Sequence, residues 1–291
     1  MKVRVFGAPF NSDGTSPREE NPAYGLREAG ILKYLEREDL TVIDEGDLSV
    51  PECDGFRDPD SRILHVSAWK KFSQHLAKET SRLMKKDDFL LILGGDCAIL
   101  YGIIAGLALL DRKPGLVYFD AHADCRMPDL SPSGEAAELI TTLLTGRGPA
   151  KSHLWPGHFP LLDDSDIVIA GIRERDLVDR TSIAVLDRAR MKMDGVEVAA
   201  ERALDFLSNK NENIWLHFDV DVLDPRLVPV CFPELDGLSF DEAETFMKII
   251  LCSGRVLGMD VTCYHPRMDS NLKAGIQISN LLSRAIGTLR H

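Results

Sequence analysis

No two cysteines in the chain are spaced as C-x-x-C, which removes the usual signature of a redox or structural-zinc pair. Basic residues are scarce: 34 Lys and Arg stand against 46 Asp and Glu, a formal net charge of −12. A nucleic-acid partner needs a basic face to meet phosphate, so none is expected. Long apolar runs are missing too. The longest, 102–110, is far below the roughly 20 residues of a membrane span, so no membrane association is expected. The opening MKVRVFGAPF has neither the apolar run nor the small-residue cleavage site of a signal peptide. With Cys53, Cys97, Cys125, Cys231, Cys252 and Cys263 scattered through a long chain, the expectation is a cytoplasmic protein with mostly reduced thiols. Linkers, low-complexity stretches and fixed-period repeats are absent, so residues 1–291 read as a single domain. At 44% hydrophobic residues the chain is not disordered, and it is long enough to bury a large core without staples.

What is present is an alternation of short apolar runs and longer amphipathic ones. Strands are expected at 2–6, 41–44, 89–93, 116–119, 167–170, 183–186, 214–218 and 256–261, all rich in β-branched or aromatic residues. Helical spacing appears at 22–36, 63–85, 98–110, 135–144, 196–207, 241–251 and 271–289. Ser239 followed by Glu242 reads as a capping box. Strands alternating with helices imply a mainly parallel sheet with helices on both faces. The segments 129–134 and 146–160 read as loops within this domain. Ligands of such folds bind beyond the carboxyl ends of the strands.

Three of those ends carry unusual residues: LILGGDC, ending in Asp96 and Cys97; VYFDAHADC, with Asp120, His122 and Asp124; and LHFDVDVLDP, with Asp219, Asp221 and Asp224. On a strand, residues two apart share a face, so Asp120, His122 and Asp124 are expected to point together, as are Asp219 and Asp221. Four carboxylates packed together repel one another and are forced to neutralise, a problem that divalent cations remove. Oxygen ligands with an imidazole suit Mn²⁺ or a similar ion, and two such ions form a hydrolytic site.

These motifs, in this order and spacing, resemble the ureohydrolase superfamily of arginases, agmatinases and formiminoglutamases. FGAPFNSDG and NPAYGLREAGIL near the start resemble arginases as well, so the likeness spans nearly the whole chain. It implies a three-layer α/β/α sandwich with a mainly parallel sheet of about eight strands and two Mn²⁺ ions per subunit. It implies hydrolysis of an acyclic C–N bond by a metal-bound hydroxide, and a homo-oligomer, trimer or hexamer, acting on a small molecule. Carried over by position, Asp120 and Asp219 bridge both ions, Asp124 binds the first and orients the hydroxide, and His122 and Asp221 bind the second. Asp224 falls where the family keeps an Asp that braces the catalytic loop.

The departures from the family are informative. Cys97 stands where a His commonly follows G-G-D. It is either a thiolate ligand, which favours Zn²⁺ or Fe²⁺ over Mn²⁺, or a small neutral core residue. Cysteine there resembles hydroxyarginine-hydrolysing members of the superfamily and bacterial arginase-like proteins with G-G-D-C. The loop SPSGEAAELI puts Ala137 where arginases keep a proton-shuttling His. The neighbouring Glu138 is either a general acid or an early helix residue favoured by the dipole. Cys263, in DVTCYHP, replaces the Glu that pairs with the substrate guanidinium in arginases and agmatinases. Arg126 replaces an Asn and is either a clamp for a substrate carboxylate or a solvated surface residue. Ser133, Glu135, Glu174 and Asp176 fall at positions that contact the amino acid part of arginine in the family. His153, His158, His217 and His265 lie near strand ends or in loops. His217 shares a face with Asp219 on a period of two, which places it beside the ligands rather than among them.

The expected activity is therefore metal-dependent hydrolysis of an amidino, hydroxyguanidino, formimino or related substrate, with L-arginine a poor one. The alternative is a degenerate ureohydrolase acting as a non-catalytic binding or regulatory protein. Cys97, Ala137 and Cys263 favour that alternative, and the five intact ligands oppose it.

Overall fold

The computed structural model describes residues 1–15, 21–85, 88–148, 160–208 and 210–290. The expected loop histidines His153 and His158 lie outside the described residues. The order is β1 (Lys2–Ala8), α1 (Pro22–Glu28), α2 (Ile31–Arg37), β2 (Thr41–Asp47), α3 (Val66–Met84), β3 (Phe89–Gly94), α4 (Leu100–Ala108), β4 (Gly115–Phe119), α5 (Ile140–Leu144), β5 (Ile167–Ala170), β6 (Ala184–Leu186), α6 (Arg188–Asp194), α7 (Val196–Ser208), β7 (Ile214–Asp219), α8 (Phe240–Cys252), β8 (Val256–Thr262) and α9 (Lys273–Ile286). The strands form one eight-stranded sheet in the order β2-β1-β3-β8-β7-β4-β5-β6, and every pairing is parallel. No described helix is long and apolar enough to cross a membrane.

Period-two alternation sends side chains to two separate cores, one on each face of the sheet. Val117 and Phe119 of β4, with Leu216 and Phe218 of β7, pack against α7, α8 and α9 through Ala203, Phe246, Ile250 and Ile278. Leu116 and Tyr118 of β4, with Trp215 of β7, face the opposite core, where α3 and α4 contribute Trp69, Phe72, Leu76, Ile103 and Ile104. This is the three-layer sandwich. Both faces are covered at the inner strands β3, β4, β5 and β7, which is why these read as nearly continuous apolar runs.

Three helical readings needed correction. The segment 135–144 is α-helical only at Ile140–Leu144, after a 3-10 turn at Ala137–Leu139. The segment 22–36 divides at Gly30, whose φ of +89° starts α2 afresh. A left-handed residue cannot continue a right-handed helix, and glycine takes that geometry without a Cβ penalty. Helix α6 was not expected, because RARMKMD buries only Arg188 and Met191 and shows no apolar face; its start is fixed by Asp187, which accepts from Arg190 N at 2.8 Å. The Ser239–Glu242 capping box is present at the start of α8.

Candidate metal centre

Strands β3, β8, β7 and β4 are adjacent at the middle of the sheet. Their carboxyl ends bring Cys97, Cys263, Asp219, Asp221, Asp120 and His122 to one place. All six line a cavity of about 610 Å³.

The G-G-D turn after β3 positions Cys97. Gly95 N donates to Ala8 O at 2.9 Å, and Gly95 O accepts from Cys263 N at 3.0 Å. A Cβ on Gly95 would lie 1.9 Å from Phe10 O, so only glycine permits this approach. Asp96 is no candidate ligand. Its carboxylate accepts from Ser12 N at 2.6 Å, Ser12 Oγ at 2.5 Å and Ala98 N at 3.0 Å, tying the FGAPFNSDG segment to the turn. Burial, opposed by these bonds, raises its pKa to about 6.

The D-A-H-x-D segment lies beyond the end of β4, so its side chains converge by loop geometry and not by strand alternation. His122 N donates to Asp120 Oδ1 at 2.7 Å, and His122 Nδ1 sits 2.8 Å from Asp221 Oδ2. Asp124 lines the same cavity as Asp120 and His122. Its φ is +46°, and its Oδ2 accepts from Tyr118 Oη at 2.5 Å. On the opposite side Asp219 is the last residue of β7 and Asp221 lies in the 3-10 turn that follows. Asp221 N donates to Asp219 Oδ1 at 2.8 Å. Arg173, which sequence reasoning did not single out, braces this turn by donating to Asp221 O at 2.6 Å and Val222 O at 2.9 Å.

Two groups of ligand atoms result. Cys97, Asp120, His217 and Asp219 place one atom each within 4.8 Å of one another, all from buried residues. Asp120, His122 and Asp221 form a second such group. Asp120 is common to both, and Asp124 belongs to neither. Cys97 Sγ is 3.0 Å from Asp219 Oδ2 and 3.8 Å from both Asp120 Oδ2 and Cys263 Sγ. A third group, His122, Glu174 and Glu234, is half-buried.

The charges explain why such a cluster wants a cation. Burial, then neighbouring carboxylates, pushes the pKa values of Asp124 and Asp219 well above the usual range. Burial pulls His122 down, but Asp120 and Asp221 outweigh it and push it up to about 12. Burial likewise opposes His217, yet Asp260 and Asp120 carry it to about 10. Burial and the thiol of Cys263 hold Cys97 protonated. Protons thus stand in for positive charge among acids that cannot all ionise unaided. Divalent ions fit this set: they neutralise the acids and deprotonate a coordinating thiol.

The remaining predicted residues line the cavity, with one exception. Nε of Arg126 donates to Asp176 at 2.8 Å and Nη2 to Glu174 at 2.8 Å, and Nε lies 3.5 Å from Glu138. The guanidinium is therefore held by three of the chain's own carboxylates. Glu138 also accepts from the hydroxyls of Ser131 and Ser133. Burial, reinforced by Asp96, Asp13 and Glu138, raises Glu135 to about 7. Asp224 is the exception: it is not a lining residue, and its carboxylate accepts from Arg226 at 2.6 and 2.8 Å. His265 reaches the cavity wall.

The Arginase family model matches residues 1–287 of this chain. The chain belongs to the arginase family. Arginase from Staphylococcus aureus (strain COL) is 28% identical over 294 residues, covering 98% of this chain and 97% of that one. The structure of arginase from Bacillus cereus superposes with a TM-score of 0.87 at 23% identity, covering 99% of each chain. Formimidoylglutamase from Bacillus subtilis shares the fold at a TM-score of 0.75 and 18% identity, with 99% and 87% covered. The arginase-family fold is thus the frame on which Cys97, Ala137 and Cys263 are set.

Proposed function

We propose that this arginase-family chain is a two-metal hydrolase of an acyclic C–N bond in a small amidino, hydroxyguanidino, formimino or related compound. The sharing of Asp120 between two ligand groups supports this reading. Two divalent ions held there supply Lewis-acid polarisation and lower the pKa of a water. Mn²⁺ is the ion the family implies, and Zn²⁺ or Fe²⁺ are those that Cys97 favours.

The chain's own residues set the substrate. Cys263 presents a neutral half-buried thiol, since burial and the Asp219 and Asp221 charges outweigh the hydrogen bond with Cys97 that lowers its pKa. A neutral thiol cannot form a bidentate pair with a guanidinium. Losing such a partner costs about 3–5 kcal/mol, or roughly two to three and a half orders of magnitude in rate. Around Arg126, Glu138, Glu174 and Asp176 leave an excess of negative charge, which suits an ammonium group on the substrate better than a carboxylate. With Ala137 in place of a shuttle, the leaving amine takes its proton from Glu135 or Glu138. Burial raises Glu135 to about 7, so that carboxyl can supply a proton near neutral pH.

The test is release of ammonia or urea from a panel of guanidino, N-hydroxyguanidino, formimino and ureido compounds by protein loaded with Mn²⁺ or Zn²⁺. The expected best substrate has a more electrophilic carbon or better leaving group than L-arginine. L-arginine and agmatine should fall roughly two to three and a half orders of magnitude below it in kcat/KM. Arginase-level turnover of L-arginine would overturn the substrate assignment. Ions bound without turnover of any compound would support the non-catalytic reading.

A further inference from the structure

His217 is fully buried on β7. It falls on the face opposite Leu216 and Phe218, in the same row as Trp215. Register fixes its neighbours: Tyr118 of β4 lies on one side and Asp260 of β8 on the other. The Tyr118 ring stacks on the imidazole with centroids 4.3 Å apart and planes 18° apart. Asp260, itself fully buried, accepts from Trp215 Nε1 at 2.6 Å through one oxygen and lies 2.6 Å from His217 Nδ1 through the other. A buried carboxylate needs donors, so Nδ1 carries the proton toward Asp260.

That leaves Nε2. It is buried and has no hydrogen-bond partner. Asp120 Oδ2 is 3.7 Å away, beyond hydrogen-bond range. Nε2 instead points into the group formed with Cys97 Sγ, Asp120 and Asp219. Three of the six edges are 3.0, 3.7 and 3.8 Å, and all six lie within 4.8 Å. Bond lengths of about 2.0–2.3 Å to a tetrahedral zinc ion require edges of about 3.3–3.8 Å. A carboxylate–histidine pair aimed at an orphan position is how metal-binding histidines are held.

We propose that His217 Nε2 and Cys97 Sγ, with Asp120 and Asp219, bind one of the two ions, and that this mixed S, N, O set selects Zn²⁺ at that position. The proposal rests on the two-metal reading above. The imidazole comes from β7, while the position after G-G-D supplies the thiolate. Asp124, bonded to Tyr118, stands outside the set. Asp260 is a positioning residue, acting through His217.

The test measures bound metal and spectra, not turnover. The purified chain is stripped and titrated with Co²⁺ as a spectroscopic substitute for Zn²⁺. Wild type should bind two ions, one of them showing thiolate-to-cobalt charge transfer and intense tetrahedral bands. Cys97→Ser should abolish the charge-transfer band. His217→Gln should keep the band but weaken that ion's affinity by more than about 100-fold, and Asp260→Asn by about 10–100-fold. Zinc absorption-edge spectroscopy of the wild type needs no variant. It should show one sulfur, at about 2.3 Å, and two imidazoles for every two zinc ions. Two ions with no sulfur signal, or with a single imidazole, overturn this assignment and leave the two-metal reading intact. A wild type that binds no stoichiometric ion overturns both.

Discussion

Glu135 shows how far one residue's surroundings can reset its chemistry. Burial, with Asp96, Asp13 and Glu138 around it, raises its pKa from 4.5 to about 7. The folded chain then keeps a proton that the unfolded chain has released between these values. Stability from this group is therefore lost as pH rises from about 4.5 to about 7. Glu135→Gln should remove that slope: in urea titrations its stability relative to wild type should climb across the window and level off on either side. Parallel curves would mean the carboxyl titrates normally. Much of the cavity's residue content was legible from the sequence, because D-A-H-x-D and F-D-x-D are contiguous. The role of His217 was only half legible. Period two places it on the face of Asp219, but the partners that orient it, Tyr118 and Asp260, come from other strands. Arg126 was similarly opaque, since Glu174 and Asp176 are about 50 residues away in sequence. The left-handed backbone of Asp124, in the loop past β4, was not legible from spacing either.

At the level of elements, the turn after β3 has the least freedom. It bonds to Ala8 at the end of β1, to Phe10 just beyond it, and to Cys263 just past β8. Gly95→Ala sets a Cβ against the Phe10 carbonyl, a backbone atom that cannot rotate aside. The expected cost is about 3 kcal/mol, at the upper end for overpacking, read as a lower urea midpoint with an unchanged slope. An unchanged midpoint would show that the turn relaxes freely. The inner strands were legible because both their faces are covered, which makes each a compact apolar run, whereas the edge strand β2, TVIDEGD, is largely exposed. Helix α6 was not, because its stability comes from its Asp187 cap and from Arg188, which donates to Glu242 at 2.9 and 3.2 Å, rather than from an apolar face. The split of α1 from α2 depends on one glycine inside an otherwise helical pattern.

Across the whole molecule, the centre joins four strands that are far apart in sequence. Cys97, Asp120, Asp219 and Cys263 close off β3, β4, β7 and β8, the middle of the sheet. An ion held between them ties the ends of these strands together in the folded state and has no comparable site in the unfolded chain. Binding therefore adds to folding stability by mass action, about 2.7 kcal/mol at a hundredfold excess over Kd for each ion. For a chain of this size, 1 kcal/mol moves Tm by roughly 2–4 °C. Chelation should lower Tm by about 5–10 °C per ion lost, and restoring divalent metal should return it, with Tm rising as the logarithm of free metal. Because Asp120 serves both ligand groups, the two ions should not act independently: Asp120→Asn should abolish nearly the whole metal-dependent rise, whereas His122→Ala should leave the part due to the Cys97 group. A Tm indifferent to both chelator and added metal would show that neither group holds an ion in the folded chain.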